Sequence, residues 1–235
     1  MKASPPGAQL RVAADIGGTF TDIAHIDESG AIATRKVLST PGDYAQGVLH
    51  GIDEMGAAAG RPISAYSDLL HACTVATNAI LEFKGAATAL VTTRGFRDVL
   101  EMRRVRVPRL YEPLYEKPPP LVPRHLRFEV GERLDAGGGI VAPLDEDDVA
   151  RVTEALRRSG VEAVAVCFLH AYANPAHEQR VGALLRAALP GVFVTLSCEV
   201  LPQLREYERT STTVINAYVG PPVRRYLASL QQSLR

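Results

Sequence analysis

Cysteine is scarce. Cys73, Cys167 and Cys198 are the only three in 235 residues, and an odd, widely spaced set fits neither a disulfide framework nor a zinc site. A reducing cytoplasm is therefore the expected compartment. An excess of either charge is also missing, since 26 Lys and Arg balance 26 Asp and Glu. No long single-sign block offers a nucleic-acid or acidic-membrane footprint, so neither is expected as a partner, and small neutral or anionic ligands are. Long apolar runs are absent too: VEAVAVCFL (Val161–Leu169) already carries Glu162 and falls far short of the roughly 20 residues that span a bilayer. The opening MKASPPGAQL has no apolar segment of the secretory kind. No period of roughly 20–50 residues repeats, which excludes a solenoid.

What is present is a core-forming composition, 46% hydrophobic with 22% charged residues, as in globular domains. Apolar residues alternate or run together over Gln9–Ala14 and Thr21–Asp27, on either side of Gly17-Gly18, and again over Ala31–Thr40. This predicts a three-stranded antiparallel meander. Tyr44, Val48, Ile52 and Met55 follow at helical spacing behind Asp43 as cap. DLLHACT (Asp68–Thr74) reads as a buried strand, TVATNAILEFKG (Thr74–Gly85) as a helix with a Thr cap and a terminal Gly, ATALVTT as a strand and GFRDVLEM as a short helix. Six prolines between Val105 and Arg124 preclude long regular structure there, and HLRFEVGERL, DAGGG and IVAPL read as a second hairpin. DAGGG has no Ser or Thr after its glycines and is taken as a turn. Helices over Asp145–Gly160 and from Pro175 then alternate with the strands VEAVAVCFL and GVFVTLS, implying parallel pairing. The final segment reads as helical with a break at Gly220-Pro221-Pro222.

The stretch DIGGT (Asp15–Thr19) admits two readings. It is a primed two-residue hairpin turn with solvated ends, or it is a loop that holds phosphate. It matches neither G-x-x-x-x-G-K-[ST] nor G-x-G-x-x-G, and it leads into a strand, so a helix-dipole phosphate site is excluded. The residue types nevertheless suit an anion: without Cβ atoms, Gly17 and Gly18 let the Gly17, Gly18 and Thr19 amides turn outward. Thr19 and Thr21 add hydroxyls, and Asp15 suits a hydrated Mg2+.

DIGGTFTD between two strands resembles the first phosphate motif of the actin-like ATPases. Its continuation Phe20-Thr21-Asp22 is similar to the hydantoinase/oxoprolinase family, the A-type subunits of N-methylhydantoinases with 5-oxoprolinases and acetone carboxylases. HACTVATNAILEFKGA, LVTTRGFRDVLEM, AVCFLHAYANPAHE and REYERTSTTVINAYVGP extend the resemblance over nearly the whole chain from Arg11. The resemblance implies an α/β, actin-like (ribonuclease H-like) mixed sheet with an N-terminal hairpin phosphate loop and an inserted irregular/β subregion. It also implies ATP with Mg2+ as cofactors. Asp15 would be the catalytic carboxylate holding the metal through water, and Gly17, Gly18, Thr19 and Thr21 would bind ATP. The implied reaction is phosphorylation of an amide or carbonyl oxygen of a cyclic amide or ketone, promoting ring-opening hydrolysis or carboxylation with a B-type partner subunit.

Further candidates lie outside the loop. Thr74, Thr77 and Asn78 match the family where a strand hands over to a helix, suiting substrate or phosphate oxygens or simply capping it. Ala72 and Cys73 depart from the family there. Arg94, with Arg97, follows a strand end where α/β sheets gather ligands, and salt bridges to Asp98 or Glu101 are the alternative. His170 and His177 lack a third metal ligand in the sequence.

The expected organisation is a tail (1–10), the first part of the actin-like domain (11–104), a Pro-rich insert with a hairpin (105–144), its second αβαβ part (145–204) and the helical start of a truncated C-terminal domain (205–235). A second phosphate motif and an adenosine loop are missing, so the chain alone is expected to be inactive. A non-catalytic actin-like assembly module and a sugar kinase with a similar loop stand as alternatives.

Overall fold

The computed structural model describes residues 10–27, 29–40, 43–104, 111–112 and 114–233. The expected tail over 1–9, and 105–110 and 113 of the Pro-rich stretch, lie outside them. The chain forms two compact units, one running to Lys84 and resuming at Pro222, the other Gly85–Pro221.

In the first unit, strict alternation makes strand β1 (Arg11–Ile16) two-faced: Val12, Ala14 and Ile16 are buried, while Arg11, Ala13 and Asp15 are exposed. It pairs antiparallel with β2 (Phe20–Ile26) from Arg11↔Ile26 to Ile16↔Thr21, and β2 pairs with β3 (Ile32–Leu38), completing the expected meander. Helix α1 (Tyr44–Ala58) follows, with the Asp43 carboxylate accepting from Ala45 N–H at 3.1 Å. It lays Ala45, Val48, Ile52 and Met55 onto the buried face of β1 and β2, where each large aliphatic side chain contributes about 1.5–3 kcal/mol. Strand β4 (Asp68–Cys73) then returns parallel to β1, giving the order β3-β2-β1-β4. Contrary to expectation β4 is not buried, because it is the sheet's edge and its residues are exposed or half-buried. The following helix α2 (Val75–Leu81) stops short of Gly85, and Phe83 takes the left-handed conformation at φ 53°.

The second unit starts at β5 (Thr88–Thr93) and the short helix α3 (Val99–Met102), and continues through β6 (Arg127–Val130), β7 (Arg133–Leu134), β8 (Ile140–Ala142) and α4 (Glu146–Ser159). Strand β9 (Ala163–Cys167), α5 (Ala176–Ala188), β10 (Phe193–Leu196), α6 (Ser197–Val200) and α7 (Glu206–Ser233) complete it, the last helix contributing its end to the first unit. Its sheet, β10-β9-β5-β6, is parallel throughout. Every residue of β5 and β9 is buried, as befits strands covered on both faces.

Three expectations are corrected. First, only β7 and β8 form the second hairpin, around an Asp135–Gly139 turn in which Asp135 accepts from Gly137 and Gly139 N–H. The preceding segment, as β6, joins β5 in parallel. Second, the unit boundary falls after Lys84, inside the expected first part 11–104, because among the described residues β5 pairs with β6 and β9 and not with the first sheet. Third, α7 runs unbroken through Gly220-Pro221-Pro222. Pro222 has no N–H for the Tyr218 carbonyl four residues earlier, and Ala86 N–H supplies that bond at 2.9 Å.

Beside that bond the Tyr218 ring packs against Gly85, where an added Cβ would collide with three ring atoms. Gly85→Ala is therefore expected to destabilise the protein by about 1–3 kcal/mol, as overpacking does. Urea unfolding reads this as a lower midpoint at unchanged slope.

Candidate functional site

The turn between β1 and β2 is closed by Gly17 N–H donating to the Phe20 carbonyl at 2.9 Å. A Cβ on Gly17 would stand 2.9 Å from that same oxygen, and one on Gly18 would stand 3.2 Å from Asn78 Nδ2. Close approach to a backbone oxygen requires Gly17, whereas a side chain at position 18 would need the Asn78 amide to shift by a few tenths of an ångström. Because Gly17 spends its amide on the turn, it does not point outward as expected. Among the described residues, Gly18 N–H, Thr19 N–H and the Thr19 hydroxyl have no partner, and Gly18 and Thr19 are exposed.

The neighbouring elements hold this turn from two sides. From the start of α2, Thr74 donates both its N–H and its hydroxyl to the Ile16 carbonyl, at 2.9 Å each, in place of the expected side-chain cap. Asn78 Nδ2 in turn donates to Thr74 Oγ1 at 3.1 Å. From the end of β3, Ser39 N–H donates to the Thr19 carbonyl at 2.9 Å. The Ser39 hydroxyl donates to the Gly17 carbonyl at 2.8 Å and lies 3.0 Å from Thr21 Oγ1. Ser39 carries no signal in the sequence, since 22 residues separate it from Gly17 and only the Phe20↔Leu38 register brings it there. Thr21, expected to contact ATP, is 1% exposed, because alternation turns it inward with Ile23.

Asp15 stands on the open face of the sheet, exposed and with no hydrogen bond or ion pair among the described residues. Its register partners are Asp22 and Ala72, and Asp22 is neutralised by Lys36 at 2.6 Å. A free carboxylate beside a turn with outward amides fits a hydrated divalent cation bound together with an anion. Thr77 is exposed on α2. Arg94 lies in the second unit and pairs with Asp148 of α4, not with Asp98 or Glu101, while Arg97 lies 3.8 Å from Glu129 and 4.0 Å from Asp98. Thus Asp15, Gly17, Gly18, Thr19, Thr74 and Asn78 come together in one unit. His177 is bonded to Glu132 at 2.9 Å and His170 to Tyr172 at 3.3 Å.

On the half-buried side of β4, His71 Nε2 is hydrogen-bonded to the hydroxyl of Tyr226 in α7. Burial holds the imidazole below its ordinary value of 6.5, opposed in part by its own backbone and by the Asp15 carboxylate. Protons therefore bind the unfolded chain more readily than the folded one. The resulting stabilisation is present above pH 6.5 and is lost as pH falls through the lower folded-state value. Thermal midpoints of the wild type should fall more steeply from about pH 7 to pH 5 than those of His71→Gln. Parallel curves would remove His71 as the cause.

A mixed α/β sheet of this kind is shared with actin-like ATPases. The chain belongs to the hydantoinase/oxoprolinase family, whose N-terminal region model matches residues 11–189. It is 42% identical over 225 residues to the caprolactamase subunit alpha of Pseudomonas jessenii, covering 93% of this chain and 32% of that protein. It is 33% identical over 246 residues to the acetophenone carboxylase gamma subunit of Aromatoleum aromaticum, covering 94% and 32%. Among solved structures, the ATP-dependent caprolactamase from Pseudomonas jessenii superposes with a TM-score of 0.88 at 39% identity over 95% of this chain and 33% of that one. A nucleotide-free acetone carboxylase gives 0.86 at 28% identity over 96% and 34%. The chain thus spans about a third of the length of these relatives. Those named as subunits belong to multi-component enzymes. No helix among the described residues is long and apolar enough to cross a membrane.

Proposed function

We propose that this chain carries the ATP phosphate site of a hydantoinase/oxoprolinase-type enzyme that phosphorylates the oxygen of a cyclic amide or ketone. The observation that carries this reading is the turn itself: two exposed amides and a threonine hydroxyl without partners among the described residues, beside an unpaired carboxylate. Gly18 N–H, Thr19 N–H and the Thr19 hydroxyl bind the β/γ-phosphate oxygens, and Gly17 makes the turn tight enough to present them. Asp15 holds Mg2+ through water, and the cation when bound neutralises phosphate charge. The Asp15 carboxylate orients that water, while the amides need no reorganisation as charge shifts between phosphoryl oxygens. Transfer of the phosphoryl group to the substrate oxygen makes it a leaving group for hydrolysis or carboxylation. The Thr77 hydroxyl is the free group on α2 for the acceptor, whereas Arg94, engaged by Asp148, serves the second unit. Turnover requires the rest of the polypeptide seen in relatives and a B-type partner subunit, in a cytoplasmic setting.

Calorimetry with MgATP tests the site. Asp15→Asn and Thr19→Ala should each weaken binding about ten- to hundredfold, the equivalent of a charge-assisted bond of about 1.5–3 kcal/mol. Gly17→Ala should do the same by distorting the turn. Wild-type affinity in all three variants would remove the loop as the phosphate site.

A further inference from the structure

We infer that Ser39 is the positioning residue of the Asp15–Thr19 loop, an inference that rests on the phosphate-site reading above. Its backbone N–H and its hydroxyl reach two different carbonyls of the same turn, Thr19 at 2.9 Å and Gly17 at 2.8 Å. A peptide plane has its N–H opposite its C=O. Pulling the Gly17 carbonyl inward turns the Gly18 N–H of that plane outward, and fixing the Thr19 carbonyl limits rotation on the other side. The Gly18 donor of the loop thus owes its direction to the Ser39 hydroxyl, one residue beyond β3, while the Ser39 amide fixes the adjoining Thr19–Phe20 plane.

The brace is itself supported. Thr21 is buried and, among the described residues, its only side-chain partner is the Ser39 hydroxyl at 3.0 Å, so the hydroxyl bonded to Gly17 has a second hydrogen-bonding partner. Ser39 is half-buried and bonds the turn's carbonyls, leaving the amides of the exposed Gly18 and Thr19 unpartnered among the described residues. Its role is preorganisation: without it the loop must order when an anion arrives, and that ordering is subtracted from affinity. A serine hydroxyl is small enough for this space, and threonine preserves the same oxygen.

The 235-residue protein is tested as wild type, Ser39→Ala, Ser39→Cys and Ser39→Thr, with two readouts. Hydrogen exchange without ligand follows the peptide covering Asp15–Thr21, and calorimetry follows MgATP and, separately, magnesium with inorganic triphosphate. Ser39→Ala and Ser39→Cys should speed loop exchange at least tenfold while leaving α1 and the second unit unchanged. They should weaken both ligands at least tenfold, with Ser39→Thr within threefold of wild type. Equal loss for ATP and triphosphate identifies a loop effect, which a general loss of stability, spread over all peptides, would not produce. If Ser39→Ala does not fold, Ser39→Cys carries the same prediction at nearly the same volume. Unchanged loop exchange in the variants overturns the assignment of Ser39 whatever the ligands do. A wild type that binds neither ligand overturns the phosphate reading and with it the functional role of Ser39.

Discussion

The site depends on how the turn's carbonyl oxygens are satisfied. Ile16 accepts from Thr74, Gly17 from the Ser39 hydroxyl, Thr19 from the Ser39 amide and Phe20 from Gly17. Buried or half-buried carbonyls need such donors in any fold. Here all the donors but the Gly17 amide come from flanking elements, so the Gly18 and Thr19 amides are not consumed in answering them. The result is a local surplus of N–H dipoles facing solvent, which is what an anion-binding concavity consists of. The same bonds explain the glycines. A tight turn with inward carbonyls brings Phe20 O and the Asn78 side chain within reach of where Cβ atoms would be.

Much of this was legible in the amino-acid order because it is local. Alternation through β1 and β2, the Gly-Gly break and the Asp43 cap are each contained within a few residues, and the hairpin and α1 follow from them. The assignment of β5 to a second sheet was not legible. Its partner β9 lies 75 residues away, as the bond from Thr92 to Cys167 O shows, and a continuous apolar run fits a buried strand in either sheet. The inward turn of Thr21 was legible in principle from the phase of Ile23 and His25, but the resemblance to a phosphate motif outweighed it. Thr74 was found for a different reason from the one the structure supplies, since it holds the Ile16 carbonyl and does not cap α2.

Helix α7 shows the same rule from the opposite side. Proline ends helices because it removes a donor and crowds the preceding turn, and Gly220-Pro221-Pro222 reads as a stop when the chain is considered alone. The missing donor at Tyr218 is supplied by Ala86, next to a glycine that lets the ring approach. A helix break is an unmet hydrogen bond, and a distant amide can meet it. In the β1–β2 turn distant donors free the Gly18 and Thr19 amides for a ligand, whereas at Pro222 a distant amide closes the gap at the Tyr218 carbonyl. Whether a backbone irregularity becomes a site or only a joint thus depends on the balance of donors and acceptors around it. That balance favours donors at Gly18 and Thr19.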